Sequence, residues 1–135
     1  MSDEITFTNP PTVAPPLGTY THVASIPAGT RLLAIAGQVG VAPDGTIPPE
    51  PERQYENVLR NIVHILESQG ASPAQLVKLN TYLVVPMNLE EIRPIRKALL
   101  GDAAPPATMI YVPRLAAPEY LVEIEAWAAV PEPAR

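Results

Sequence analysis

Apolar residues at Tyr55, Val58, Leu59, Ile62, Ile65 and Leu66 recur at i, i+3, i+4, i+7, i+10 and i+11. This is one stripe of period 3.6, and it predicts a helix over 51–69. Pro51 suits the first turn and Gly70 the stop, while His64 falls on the polar side with Arg60 and Glu67. A second stripe, Leu89, Ile92, Ile95 and Leu99, predicts another helix. Asn88 and Glu91 have the spacing of an N-terminal cap, and Gly101 closes the segment. Pro94 lies inside it, so either the helix kinks there or its regular part begins near that residue. Strands are predicted over 20–26, 31–41, 76–85, 108–112 and 120–130. Gly37 and Gly40 interrupt the second of these, and glycine within a strand marks a bulge or a close approach to the backbone. In the third, Val77, Leu79, Thr81, Leu83 and Val85 share a face. In the last, Glu123, Glu125 and Trp127 share one face, and Val122, Ile124 and Ala126 the other. The order of elements gives an α+β fold, one sheet with two helices packed on one face.

A chain of 135 residues fits a single domain over 1–135, with proline-rich ends at 1–17 and 131–135. Proline reaches 18 residues, roughly 13% against a usual share of about 5%. Pro10, Pro11, Pro15 and Pro16 form a stiff lead expected to run extended, and Pro131 and Pro133 a similar tail. The absence of cysteine excludes disulfides, thiolate nucleophiles and zinc fingers. The start Met1-Ser2-Asp3-Glu4 has no basic or apolar leader, and no apolar run approaches a membrane span, so the expected location is cytoplasmic, with no membrane partner. With 9 basic and 14 acidic residues the net charge is −5, which disfavours nucleic acid as a partner.

Candidate chemistry is sparse. His22 and His64 lie on different elements, neither with a second ligand at metal-binding spacing, so no metal is expected. No Gly-x-Gly-x-x-Gly, P-loop or Gly-x-Ser-x-Gly occurs, and no cofactor is expected. Glu123 and Glu125 stand on a strand otherwise built of apolar residues. Each is either a carboxylate lining a pocket, able to orient a water, or one half of an ion pair with a neighbouring strand.

Gly18-Thr19-Tyr20, Ala36-Gly37-Gln38, Gln54 six residues before Arg60-Asn61, Val77-Lys78, Pro105-Pro106-Ala107-Thr108, Arg114-Leu115 and Val122-Glu123-Ile124-Glu125-Ala126 follow one another in a recognisable order. The set resembles the Rid family (YjgF-type reactive intermediate deaminases) from about Gly18 to Ala129. The resemblance implies a chorismate-mutase-like fold and a homotrimer whose sheets form a central barrel with three clefts between subunits. It implies hydrolysis of imines and enamines, such as 2-aminoacrylate, to a ketoacid and ammonia without a cofactor. Carried over residue by residue, Tyr20 lines the cleft, Gly37 lets the ligand approach the backbone, and Thr108 matches a serine. Met109 offers its carbonyl to the attacking water, and Glu123 holds that water.

Two positions depart from the pattern. Where active members hold the substrate carboxylate with an arginine, this chain has Ala107, and an asparagine of the second helix is also missing, near Arg93-Pro94. A guanidinium grips a carboxylate by two parallel hydrogen bonds, which alanine cannot do. Losing one partner of such a pair costs about 2–5 kcal/mol, or roughly thirty- to several-thousand-fold in rate. So 2-aminoacrylate is expected to be a poor substrate. Arg31, Arg93 and Arg96 are candidates for a relocated anchor, each with ordinary surface pairing as the alternative. Three functions follow: a divergent imine or enamine hydrolase, a non-catalytic trimer that binds or senses a small metabolite, or an endoribonuclease, which the acidic charge and the lack of a histidine pair disfavour.

Overall fold

The computed structural model describes residues 4–132; Met1 to Asp3 and Pro133 to Arg135 lie outside them. The elements in chain order are β1 (Thr6–Thr8), β2 (Val23–Ser25), β3 (Thr30–Val39), α1 (Pro51–Ser68), β4 (Leu76–Leu83), α2 (Leu89–Leu100), β5 (Ala107–Tyr111) and β6 (Val122–Pro131). A 3-10 turn, Pro73–Gln75, leads into β4. The architecture is α+β, two helices on a mixed sheet.

The sheet has strand order β3-β6-β4-β5. β6 is antiparallel to both neighbours, whereas β4 and β5 run parallel because α2 carries the chain back between them. Both helical stripes bury themselves on one face of this sheet. Val58, Leu59, Ile62 and Leu66 of α1 are fully enclosed against Leu79, Leu83, Val122, Ile124 and Ala126 of the strands. The alternation along β6 holds: Val122, Ile124 and Ala126 are buried, while Trp127 stays 46% exposed on the open face with Glu123 and Glu125.

Several expected boundaries move. The strand expected over 20–26 shortens to Val23–Ser25 and pairs with β1, so the two form a separate antiparallel ribbon beside the four-stranded sheet. Tyr20 is left in the preceding loop, its N–H donating to Gly18 O at 3.0 Å. The proline lead stays out of the strands, but it turns at 10–13, where Val13 N–H reaches Pro10 O. Pro131 is not tail: it ends β6, opposite Thr30 of β3 and past Ala128, the last residue of β6 paired with β4. α2 runs through Pro94 from Leu89, with Asn88 Oδ1 accepting from Glu90 N–H at 3.0 Å. The proline removes one N–H, and buried Ile92 and Leu100 hold the helix to the core despite that loss.

Candidate functional site

Gly37 sits in a register shift. Ile35 pairs with Ala126 and Gln38 with Ile124, so Ala36 and Gly37 together face the single residue Glu125. The side chain of Glu123 lies on the gap left by the missing Cβ. A Cβ built on Gly37 would stand 2.9 Å from Glu123 Cδ and 3.1 Å from Cγ, with Oε2 closer still. Both readings of a strand glycine, bulge and close approach, apply here. Among the described residues Glu123 takes no hydrogen bond or ion pair. Glu125, one pleat along, differs: its Oε1 accepts from Tyr82 OH at 2.5 Å and from Asn80 Nδ2 at 3.2 Å. The ion pair to a neighbouring strand is therefore not what either acid makes. Glu125 is held by neutral donors, and its carboxylate raises Tyr82 above the ordinary tyrosine value.

A second group of residues lines a cleft of about 400 Å³ between the 17–20 loop, α2, β4 and β5. Tyr20, Ala107, Thr108 and Met109 all border it. So do Arg93 and Arg96, with Leu89 and Ile92 on the same stripe of α2. Arg96 Nη2 donates to Ala103 O at 3.2 Å and to Thr19 O at 3.4 Å. It also lies against the Tyr55 hydroxyl, whose ionisation burial pushes up and the guanidinium partly restores. Arg31, the third candidate anchor, lies away from this cleft. It donates to Gln69 O at 2.9 Å and pairs loosely with Glu132, at a different part of the molecule.

β5 is the sheet's edge, and parity fixes which of its carbonyls are free. Leu79 N–H donates to Pro106 O, and Val112 N–H donates to Leu83 O. In a parallel ladder this turns residues 106, 108, 110 and 112 toward β4 and leaves the carbonyl of Met109 pointing off the edge. Glu123 stands on β6 opposite Tyr82, beyond β4, and its side chain leans further away toward β3. Two strand spacings are about 10 Å, too far for one water to touch both groups of the same chain. The residues carried over from the resemblance thus fall in two groups: Tyr20, Ala107, Thr108 and Met109 around the cleft beside β5, and Gly37 with Glu123 at the β3–β6 bulge.

Sequence reasoning missed the clamp that shapes the loops above the bulge. Gln54, fully buried on α1, donates to Pro48 O at 2.9 Å and Glu119 O at 2.8 Å and accepts from Leu121 N–H at 2.9 Å. Asn57 and Asn61 reach Gly40 O and Val41 O at 3.1 and 3.0 Å. Their place one turn apart on the polar edge of the α1 stripe was the available signal.

The profile of the endoribonuclease L-PSP family matches residues 11–130. The chain belongs to that family, the Rid family of the motifs above. Among solved structures it is similar to YyfB of Yersinia pestis, a Rid family protein of unknown function, with 34% identity, a TM-score of 0.82, and coverage of 93% of this chain and 98% of that one. It is also similar to RidA of Psychrobacter sp. PAMC 21119, at 27% identity and TM-score 0.66 over 87% and 94% of the two chains. A RutC family protein of Pyrococcus abyssi is 28% identical over 131 residues, 95% of this chain and 98% of that one. This Rid family chain has no helix, among its described residues, long and apolar enough to cross a membrane, and no cluster of residues able to hold a metal.

Proposed function

We propose that the chain hydrolyses a reactive imine or enamine, releasing ammonia, in clefts between the subunits of a homotrimer. One observation carries the reading: Glu123 is seated on Gly37 with its carboxylate uncommitted, while Glu125 beside it is taken by Tyr82 and Asn80. An unpaired, half-buried carboxylate is costly unless water or a ligand meets it. Glu123 holds the attacking water, the outward carbonyl of Met109 from a neighbouring subunit completes its placement, and Tyr20 and Thr108 border the bound substrate. No cofactor takes part. The separation of the two groups within one chain supports an intersubunit cleft, and the exposed β5 edge and Trp127 face supply surface for it. Ala107 in place of a cation makes 2-aminoacrylate a poor substrate.

The test couples ammonia release to a panel of imines, with Glu123→Ala alongside and sedimentation of both proteins. Turnover that falls about a hundredfold or more in the variant supports the reading. Undiminished turnover in Glu123→Ala, or a monomer at micromolar concentration, overturns it. Absence of turnover with a ligand-raised melting temperature would instead favour a trimer that binds without catalysis.

A further inference from the structure

The cleft beside Ala107 carries a charge that the rest of the chain does not. The protein is net −5, yet this cleft is bordered by two arginines and by no acidic residue. Arg93 and Arg96 are three residues apart on α2, which places them on one side of the helix. Like charges at that spacing repel, and other arginines of the chain relieve such repulsion with carboxylates: Arg53 and Arg60 both close on Glu56. Arg93 and Arg96 have no such partner among the described residues. Arg96 is nonetheless held in place, because two main-chain carbonyls fix one of its nitrogens and its guanidinium also meets the Tyr55 hydroxyl. Leu79, Ile92, Met109 and Ile124 supply apolar wall, with Tyr20, Thr81 and Thr108 bordering it as well.

We propose that Arg93 and Arg96 form a binding site for the carboxylate of a small organic acid, whose apolar body fills the cleft against Ile92 and Met109. The cation comes from the helix layer, across the cleft from the strand position that Ala107 occupies. Two guanidinium groups supply forked donors suited to a carboxylate, and the apolar walls exclude water and strengthen the contact. This deepens the proposed hydrolysis, on which its substrate form rests: the substrate is an imine or enamine bearing a carboxylate and an apolar group. Ala107 gives the apolar group room where a cation on β5 would block it.

Calorimetric titration of the full chain with benzoate, and with benzamide as its uncharged counterpart, tests the site without requiring turnover. Benzoate should bind at least about tenfold more tightly than benzamide, and added salt should weaken only benzoate. Arg93→Gln removes no hydrogen bond or ion pair among the described residues, so it should keep the wild-type melting temperature while weakening benzoate about tenfold and leaving benzamide unchanged. Arg93→Gln with Arg96→Gln should abolish the preference for benzoate. No benzoate binding, equal binding of the two probes, or undiminished benzoate affinity in the double variant overturns the proposal. An ammonia assay in parallel separates the two readings. Charge-dependent binding without any turnover leaves the anion site standing and sinks the hydrolase, whereas turnover with no charge preference does the reverse.

Discussion

Gly37 and Gly40 stand three residues apart, and adding one methyl group to each should give opposite outcomes. Neither has a positive φ, so alanine strains the backbone at neither position. The difference lies in what the new Cβ would meet. At Gly37 it meets the end of the Glu123 side chain, with Cδ at 2.9 Å and Cγ at 3.1 Å, against the 3.4 Å or more of ordinary contact. That carboxylate can swing away at the cost of an off-rotamer torsion, about 0.5–1.5 kcal/mol. The loss is offset by about 0.4–1 kcal/mol from the stiffer unfolded chain. At Gly40 it meets Gln54 Cβ at 2.5 Å and Cα at 2.7 Å. Here the obstacle is helix backbone and the Cβ fixed to it, pinned by the three hydrogen bonds of Gln54, and the first turn of α1 would have to withdraw by roughly 0.9 Å, the shortfall from ordinary contact at Cβ. Overpacking of that kind costs about 1–3 kcal/mol.

At about 0.7 kcal/mol of unfolding enthalpy per residue, each kcal/mol moves the melting temperature of a chain this size by roughly 3–4 °C. With the same offset from the stiffer unfolded chain, Gly40→Ala should melt up to about 9 °C lower than wild type, and Gly37→Ala within about 4 °C of it. Ammonia release should rank the other way. Gly37→Ala moves the carboxylate that places the water and should lose about a hundredfold or more, while folded Gly40→Ala keeps most of its rate. Thermal melts and turnover on the same preparations decide the matter. A Gly37→Ala protein that melts below Gly40→Ala, or that turns over at the wild-type rate, would refute the seat assigned to Glu123.

Gln54→Leu fills the same space but strands two carbonyls and the Leu121 amide, each orphan costing about 1–3 kcal/mol where water cannot replace it. Denaturant unfolding should show a loss of about 2–4 kcal/mol, and hydrogen exchange at Leu121 should speed up before that of the β6 core. Tyr82→Phe probes the Glu125 contact through pH. Glu125 raises the Tyr82 pKa, so the stability from this contact is fully present below the unfolded tyrosine pKa of about 10 and is lost as pH rises through the folded value. The stability gap between wild type and Tyr82→Phe should stay constant below about pH 9 and close above it; a gap that widens with alkali would reverse the assignment.

The helices and the main strands were legible because burial enforces their periods. The stripe from Tyr55 to Leu66 and the alternation from Val122 to Ala126 are each dictated by one covered face. The small ribbon was less legible, since three-residue strands such as Thr6–Thr8 carry too few positions for a period to show. Pro94 misleads a local reading because the core contacts of Ile92 and Leu100 outweigh one absent hydrogen bond. The candidate residues can be matched to the family pattern by order along the chain, but their division into two groups in space cannot be read that way. Strand order β3-β6-β4-β5 is a long-range property, and it alone sets β4 between Glu123 and Met109.

The arginines show the same limit from another side. On the sequence, Arg31, Arg93 and Arg96 are equivalent candidates to replace a lost cation, because net charge says nothing about where a charge points. Folding sorts them. Arg31 is occupied by Gln69 at the far end of β3, and Arg93 and Arg96 come to border the space opened by Ala107. The positive charge, on the proposed reading, is moved from the strand layer to the helix layer rather than lost. On the proposed reading, the acid group is gripped on the helix side of the sheet, while Glu123 prepares water on the open side of a neighbouring subunit. The two tasks are then carried by different layers of different chains. Substitutions at Arg93 should alter which substrates bind and leave the water's placement untouched, whereas substitutions at Gly37 should slow every substrate alike.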